Sequence, residues 1–240
     1  MTLTQQRIMI VGGSNGMGLA AAQRLARANA EVAIVGRSQA KLDTALATID
    51  GSANAYVADF TDTASLAALV EQVGSIDHLV LVASSNTALG PFSTTSAEAL
   101  RGMLENKLLG YWQTLQATLP HLRRDGSVVM VTGAASRTAV SGMAGLAAVN
   151  GAITQLAQTL AKELAPLRVN VVSPGLVDTP VYDQMPAEVK ARMFANAAKS
   201  LPVGRIGTVD DIAMAIEFLI ANGHTTGALI DVDGGARMAG

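Results

Sequence analysis

Short runs rich in β-branched residues return along this chain: RIMIV, EVAIV, AYVADF, HLVLVAS, SVVMVTG, RVNVVSPG and ALIDVDGG. Runs that are apolar at nearly every position leave no polar face for water, so each must be covered on both sides. A parallel sheet with crossover helices on both faces meets that demand, and it is wound in the order strand, helix, strand. Alanine-rich stretches of helical period stand where this winding needs them, at 19–29, 39–49 and 63–73. The expected fold is therefore α/β, a doubly wound parallel sheet with helices on both faces.

A chain of 240 residues falls in the range where one core still suffices. No internal repeat, low-complexity tract or Pro/Ser-rich linker divides it, so one domain is expected over 1–240. The least regular stretch, 176–205, contains DTPVYDQMPAEVKARMF and follows a strand end. It is expected as a loop and helical insertion over the carboxyl edge of the sheet, where ligands bind in open α/β folds. A net charge of −2 without long charge runs argues against a nucleic-acid surface, leaving small molecules as the expected partners. There is no cysteine, which removes disulfides and thiolate metal sites and fits a reducing cytoplasm. Three scattered histidines form no metal-binding pattern; His78, His121 and His224 are expected at surface or capping positions. Trp112 reads as core or subunit interface. The first residues lack the apolar core of a signal peptide, and no segment approaches the roughly 20 apolar residues of a membrane span. A soluble, cytoplasmic protein is expected.

The chemistry begins in RIMIVGGSNGMGLAAAQRLA, where Gly12, Gly16 and Gly18 lie between the first strand and the first helix. Glycines there permit a tight turn, let the backbone approach a pyrophosphate and turn helix N-terminal amides toward negative charge. Their spacing is Gly-x-x-x-Gly-x-Gly, and a merely tight strand-to-helix turn would use glycine too. The second strand ends IVGRSQAKL. An acidic residue there would hold the ribose 2′-hydroxyl of NAD; Gly36 and Arg37 stand in its place, and a guanidinium suits a 2′-phosphate. NADP(H) is expected over NAD(H), the alternative being that Arg37 is an ordinary solvated charge. Asp59 reads as a helix N-cap, an adenine contact, or both.

Together these residues resemble the short-chain dehydrogenase/reductase family, and the likeness spans nearly the whole chain. GGSNGMG is similar to its cofactor loop, VADFTD to its adenine-contacting segment, LENKLLG to its asparagine-bearing helix, RVNVVSPGLVDTP to its nicotinamide-side loop and GALIDVDGG to its last strand. The resemblance implies a Rossmann-type fold, NAD(P) binding, alcohol or carbonyl chemistry and a homo-oligomer, tetramer or dimer. Carried over by position, the cofactor set is Gly12, Ser14, Asn15, Gly16, Gly18, Arg37, Asp59, Phe60, Ala83, Ser84, Pro174, Gly175 and Thr179. Asn106 matches the active-site asparagine. Where the family carries Asn-Asn-Ala-Gly, this chain reads Leu81, Val82, Ala83, Ser84, so only the backbone role survives.

The proton-transfer groups depart further. The family places a Tyr and, four residues later, a Lys on one helix, with a Ser at the preceding strand end; here those positions hold Leu146, Asn150 and Gly133. No other register restores them, because the tyrosines are Tyr56, Tyr111 and Tyr182 and no lysine lies between Lys107 and Lys162. A phenol of ordinary pKa about 10 serves near neutrality only when a neighbouring cation favours its phenolate. Leu146 has no exchangeable proton, and Asn150 hydrogen-bonds but carries no charge. Substitutes are sought among Ser84, Ser85 and Asn86, among Thr132, Ser136 and Arg137, and at Tyr182, a phenol near the expected mouth whose plain role is a lid contact with Met185 or Phe194. Asn106 and Asn150 remain catalytic candidates, Asn106 equally as a structural residue of its helix.

Three functions follow as expectations. One is an NADP(H)-dependent oxidoreductase with a non-standard active site acting on a small carbonyl or alcohol. The second is a catalytically silent NADP(H)-binding sensor or assembly subunit. The third is a cofactor-independent isomerase or cyclase that reuses the pocket.

Overall fold

The structure, a computed structural model, describes residues 3–82 and 88–238. Its strands are β1 (Arg7–Val11), β2 (Glu31–Gly36), β3 (Ala53–Val57), β4 (Ile76–Leu81), β5 (Leu122–Val131), β6 (Arg168–Pro174) and β7 (Leu229–Val232). They form one seven-stranded sheet in the order β3-β2-β1-β4-β5-β6-β7, each neighbouring pair parallel. The chain leaves β1 toward β2 and β3, then returns to build outward from its other side. That reversal opens a crevice at the carboxyl ends of β1 and β4, where a doubly wound sheet binds its ligand.

The helices are α1 (Gly16–Arg27), α2 (Gln39–Leu46), α3 (Thr63–Val73), α4 (Ala97–Met103), α5 (Gly110–Thr118), α6 (Ala144–Glu163), α7 (Ala187–Ser200) and α8 (Val209–Ala221). The period-two alternation of each strand sorts them between two cores. Ile8, Ile10, Val32, Ile34 and Val80 point to one face, which α1, α2 and α8 cover with Leu25, Leu42 and Ile216. Met9, Val11, Leu79, Leu81 and Val128 point to the other, covered by α3, α5 and α6 through Leu69, Leu115 and Ile153. Every strand between the edges is thus buried on both sides, which is why its sequence shows no polar alternation.

Two details differ from the sequence expectations. His78 is buried, at 1% exposure, because it falls inside β4 between β1 and β5 rather than at a strand start. Its ring nitrogens meet Ser127 Oγ at 2.8 Å and Gln6 Oε1 at 2.6 Å. The N-cap of α3 is Asp62, whose side chain accepts from the amide of Ala64, and not Asp59. Trp112 stands 46% exposed on α5, outside the core. No helix of the described residues is long and apolar enough to cross a membrane.

Candidate functional site

The carboxyl end of β1 runs into the glycine loop. Gly16 has φ of 53°, a left-handed conformation that disfavours a side chain, and a Cβ on Gly18 would lie 2.2 Å from the carbonyl oxygen of Gly12. Glycine at 18 therefore lets α1 start against the strand end. Asn15 is the N-cap of α1 but makes no capping bond with its side chain, so the first-turn amides lack that partner. The N-caps at Ser38, Asp62, Ser96 and Thr208 accept from a backbone amide, while Met143 and Pro186, before α6 and α7, have no side chain that can. A glycine-rich loop ahead of amides that no side chain caps fits an anionic phosphate group.

On the side of β2 and β3, Ser14 Oγ reaches the end of β2, 3.4 Å from where a Cβ on Gly36 would lie. Arg37 follows there, exposed and without an ion pair among the described residues. Asp59 accepts from the amide and hydroxyl of Thr61 at 2.9 and 2.7 Å. Those bonds, with the nearby Arg37 charge, hold its carboxyl below the ordinary carboxylate range. Phe60 lies on α5 so closely that a Cβ on Gly110 would be 2.5 Å from its ring. Gly12, Ser14, Asn15, Gly16, Gly18, Arg37 and Asp59 thus gather along one half of the carboxyl edge, while Phe60 is turned to α5. These residues could hold the pyrophosphate and a phosphorylated adenosine ribose.

On the other half, β6 ends at Pro174, and the amide of Gly175 donates to Val232 O at 3.0 Å. Thr179 precedes a 3-10 turn over Pro180–Gln184. Thr179 and Pro180 stand within 4 Å of the Cβ position of Gly16, so this loop meets the glycine loop across a cavity of about 380 Å³. Lys190 on α7 holds the loop down through Asp178 and Asp183, each at 2.8 Å. Tyr182 packs edge-on against Phe194, ring centroids 5.4 Å apart, and burial raises its phenol above the ordinary value. It makes no hydrogen bond with α6 among the described residues. Ala83, Ser84, Ser85 and Asn86 lie outside the described residues.

Around Leu146 and Asn150 the geometry is specific. Leu146, in the first turn of α6, packs against the apolar core. Asn150 is 1% exposed; its Nδ2 donates to Gly133 O at 3.4 Å and its Oδ1 accepts from Lys107 Nζ at 2.7 Å. A Cβ at 133 would stand 3.0 Å from Asn150 Nδ2, so glycine makes room for the amide. Lys107 is 3% exposed and also donates to Thr132 O at 3.3 Å. Burial lowers its ammonium to about 8. Thr132, Ser136 and Arg137 are committed elsewhere, to Val172 O, Gly133 O and Asp231.

Lys107 was not among the sequence candidates. It sits in a π-helical turn, Leu104–Leu109, which joins α4 to α5. Asn106 turns its Nδ2 back to Gly102 O at 2.8 Å, satisfying a carbonyl of its own helix instead of reaching Asn150. Lys107 faces inward with the buried Met103 and Tyr111. The available signal was a lone charge within that apolar stripe, Met103, Lys107, Tyr111, Leu115 and Thr118. Tyr111, one turn from Lys107, donates to Val131 O at 3.0 Å and is fully enclosed, which drives its phenol far from neutrality.

Residues 11–237 match the family model described as Enoyl-(Acyl carrier protein) reductase. The Short-chain reductase protein NovJ of Streptomyces niveus is 32% identical, the match covering 95% of this chain and 92% of that protein. The human 3-oxoacyl-[acyl-carrier-protein] reductase is 29% identical over 95% of this chain and 97% of its own length. Among solved structures, a small-chain dehydrogenase in complex with NADPH superposes with a TM-score of 0.83 at 31% identity, covering 98% of this chain and 99% of that one. With the seven-stranded parallel sheet and the glycine loop at its switch point, these matches leave one conclusion: the chain belongs to the short-chain dehydrogenase/reductase family.

Proposed function

We propose that the protein is an NADP(H)-dependent oxidoreductase that interconverts a small carbonyl compound and its alcohol through a non-standard active site. The observation carrying this reading is the glycine cradle of Gly12, Gly16 and Gly18 at the start of α1, whose first-turn amides no side chain caps, with Arg37 at the end of the next strand without an ion pair among the described residues. A bound nicotinamide dinucleotide would supply hydride exchange. The chain's residues would do the rest: the cradle takes the pyrophosphate, and Arg37 takes the 2′-phosphate that an acidic residue would repel. Ala83 and Ser84 would serve through their backbone, and Pro174, Gly175 and Thr179 would flank the nicotinamide half. A relative solved with NADPH, and relatives described as reductases of acyl-carrier-protein substrates, support the cofactor and the carbonyl chemistry. The working unit in this reading is a cytoplasmic homo-oligomer, a tetramer or dimer.

A second reading, a silent NADP(H)-binding sensor or assembly subunit, draws on Leu146 and Gly133, which offer no exchangeable side-chain proton. Parallel titration of nucleotide-stripped protein with NADPH and NADH, followed by NADPH oxidation over a panel of aldehydes and ketones, separates the two. Preferred NADPH binding with turnover supports the oxidoreductase. Binding without turnover across the panel transfers the case to the sensor. If neither nucleotide binds, both readings fall.

A further inference from the structure

Among the described residues, Lys107 is a buried cation without a carboxylate partner. Arg168, also buried, shows how this fold satisfies a structural cation: its guanidinium donates to the carbonyls of Leu219, Ile220 and Thr225. Lys107 has three N–H donors and, among the described residues, two acceptors, Asn150 Oδ1 and Thr132 O, which leaves one proton uncommitted there. An ammonium so placed is costly to the fold, and a costly, incompletely bonded charge at a ligand edge is a mark of function. Thr132 directly follows β5 at the sheet's carboxyl edge, two strands across from the glycine loop in the order β1-β4-β5. With an adenosine half held at the ends of β2 and β3, the reacting half of a dinucleotide would lie toward β4 and β5.

We propose that Lys107 is the catalytic cation of this enzyme, giving the reacting carbonyl the proton that positions 146 and 133 lack, with Asn150 as the positioning residue that aims it. This rests on the NADP(H) reading above. The balance is simple: the carbonyl carbon gains a hydride from the reduced nicotinamide, the oxygen gains the Lys107 proton, and the resulting neutral amine recovers a proton from water. Asn150 fixes the direction, since its Nδ2 is engaged with Gly133 O and its Oδ1 is left to face the ammonium. Burial brings the amine to about 8, close enough to neutrality for proton transfer in both directions. The groups bonded to it are Asn150 from α6 and the carbonyl of Thr132, which follows β5, while Tyr111, one turn away, directs its hydroxyl to Val131 O. Glu98 and Arg101 on α4 pair with each other in solvent, and Glu105 points outward. A buried cation repels an iminium, so the substrate class is a neutral aldehyde or ketone.

The test uses two nucleotides that differ by one charge at the nicotinamide ring. In the wild type, the ratio of the Kd for NADP⁺ to that for NADPH should fall about tenfold between pH 7 and pH 9.5, as the ammonium deprotonates. In Lys107→Met, which keeps the stem without the charge, the ratio should be low and flat. With a carbonyl substrate, Lys107→Met should lose about 10² to 10⁴ in kcat. The wild-type alkaline limb near pH 8 should move upward in Asn150→Asp, whose carboxylate favours the charged amine. A pH-invariant nucleotide ratio in the wild type, or turnover by Lys107→Met within twofold of wild type, would overturn the role of Lys107 while leaving the NADP(H) reading intact. Failure of the wild type to bind either nucleotide would instead remove the reading itself, and the proposal with it.

Discussion

A lysine and a histidine taken out of water feel the same penalty on their charged forms, yet they shape stability at opposite ends of the pH scale. His78 is held by burial at about 4, below its ordinary value of 6.5, so the fold keeps it neutral while the unfolded chain takes up a proton below pH 6.5. Its contribution is complete above that value and is lost as pH falls toward 4, amounting to about 3 kcal/mol. Urea denaturation at pH 7 and pH 4.5 should show this loss, and His78→Gln should flatten it; an unchanged slope in the variant would show that His78 is not the group titrating. Lys107 stays charged in both states below about 8, and between there and 10.5 the unfolded chain holds the proton more tightly. Stability should therefore rise with pH across that window. Relative to wild type, Lys107→Met should begin with an advantage that shrinks by about 3 kcal/mol between pH 7.5 and 10.5. A constant gap would mean that the amine is not desolvated in the native state.

At the level of elements, the junction of β1 and α1 shows how sequence becomes geometry. Gly12, Gly16 and Gly18 were legible because a strand directly before them and a helix directly after leave few other uses for glycine. The close approach behind that spacing is the 2.2 Å distance a Cβ at 18 would have to Gly12 O. Gly18→Ala should push α1 away from the strand end, lowering Tm by several degrees and weakening NADPH binding at least tenfold in a titration. Binding within twofold of wild type would show that the cradle tolerates the shift. The α4–α5 junction was not legible in the same way. A π turn changes which residues face inward, and nothing in LENKLLG shows that Asn106 will bond to Gly102 while Lys107 turns to Asn150. That α6 holds no tyrosine, and no lysine before Lys162, could be seen in the sequence. A cation from another helix depends on tertiary packing between residues 43 positions apart.

For the whole molecule, strand runs apolar at nearly every position required two covered faces, and the two cores supply them. Sequence patterning also indicated the carboxyl edge as the ligand side, because a doubly wound sheet has one switch point. It could not distribute stability between sheet and edge, which depends on what each element buries. Helix α7 has no buried residue, and the loop before it is fixed by the contacts of Lys190 to the exposed Asp178 and Asp183, whereas β6 is buried at every position. Surface ion pairs contribute little, so 178–200 should open independently of the sheet. Hydrogen exchange should therefore be fast across α7 and slow in β4, β5 and β6. If NADPH seats between the glycine loop and Thr179, it should slow exchange in 176–184 more than in α3, which packs on the face opposite α1. Protection of α7 amides equal to that of β5 without nucleotide would show that the segment folds as part of the sheet. NADPH protection spread evenly over the chain would show that the nucleotide stabilises the whole molecule without engaging this loop.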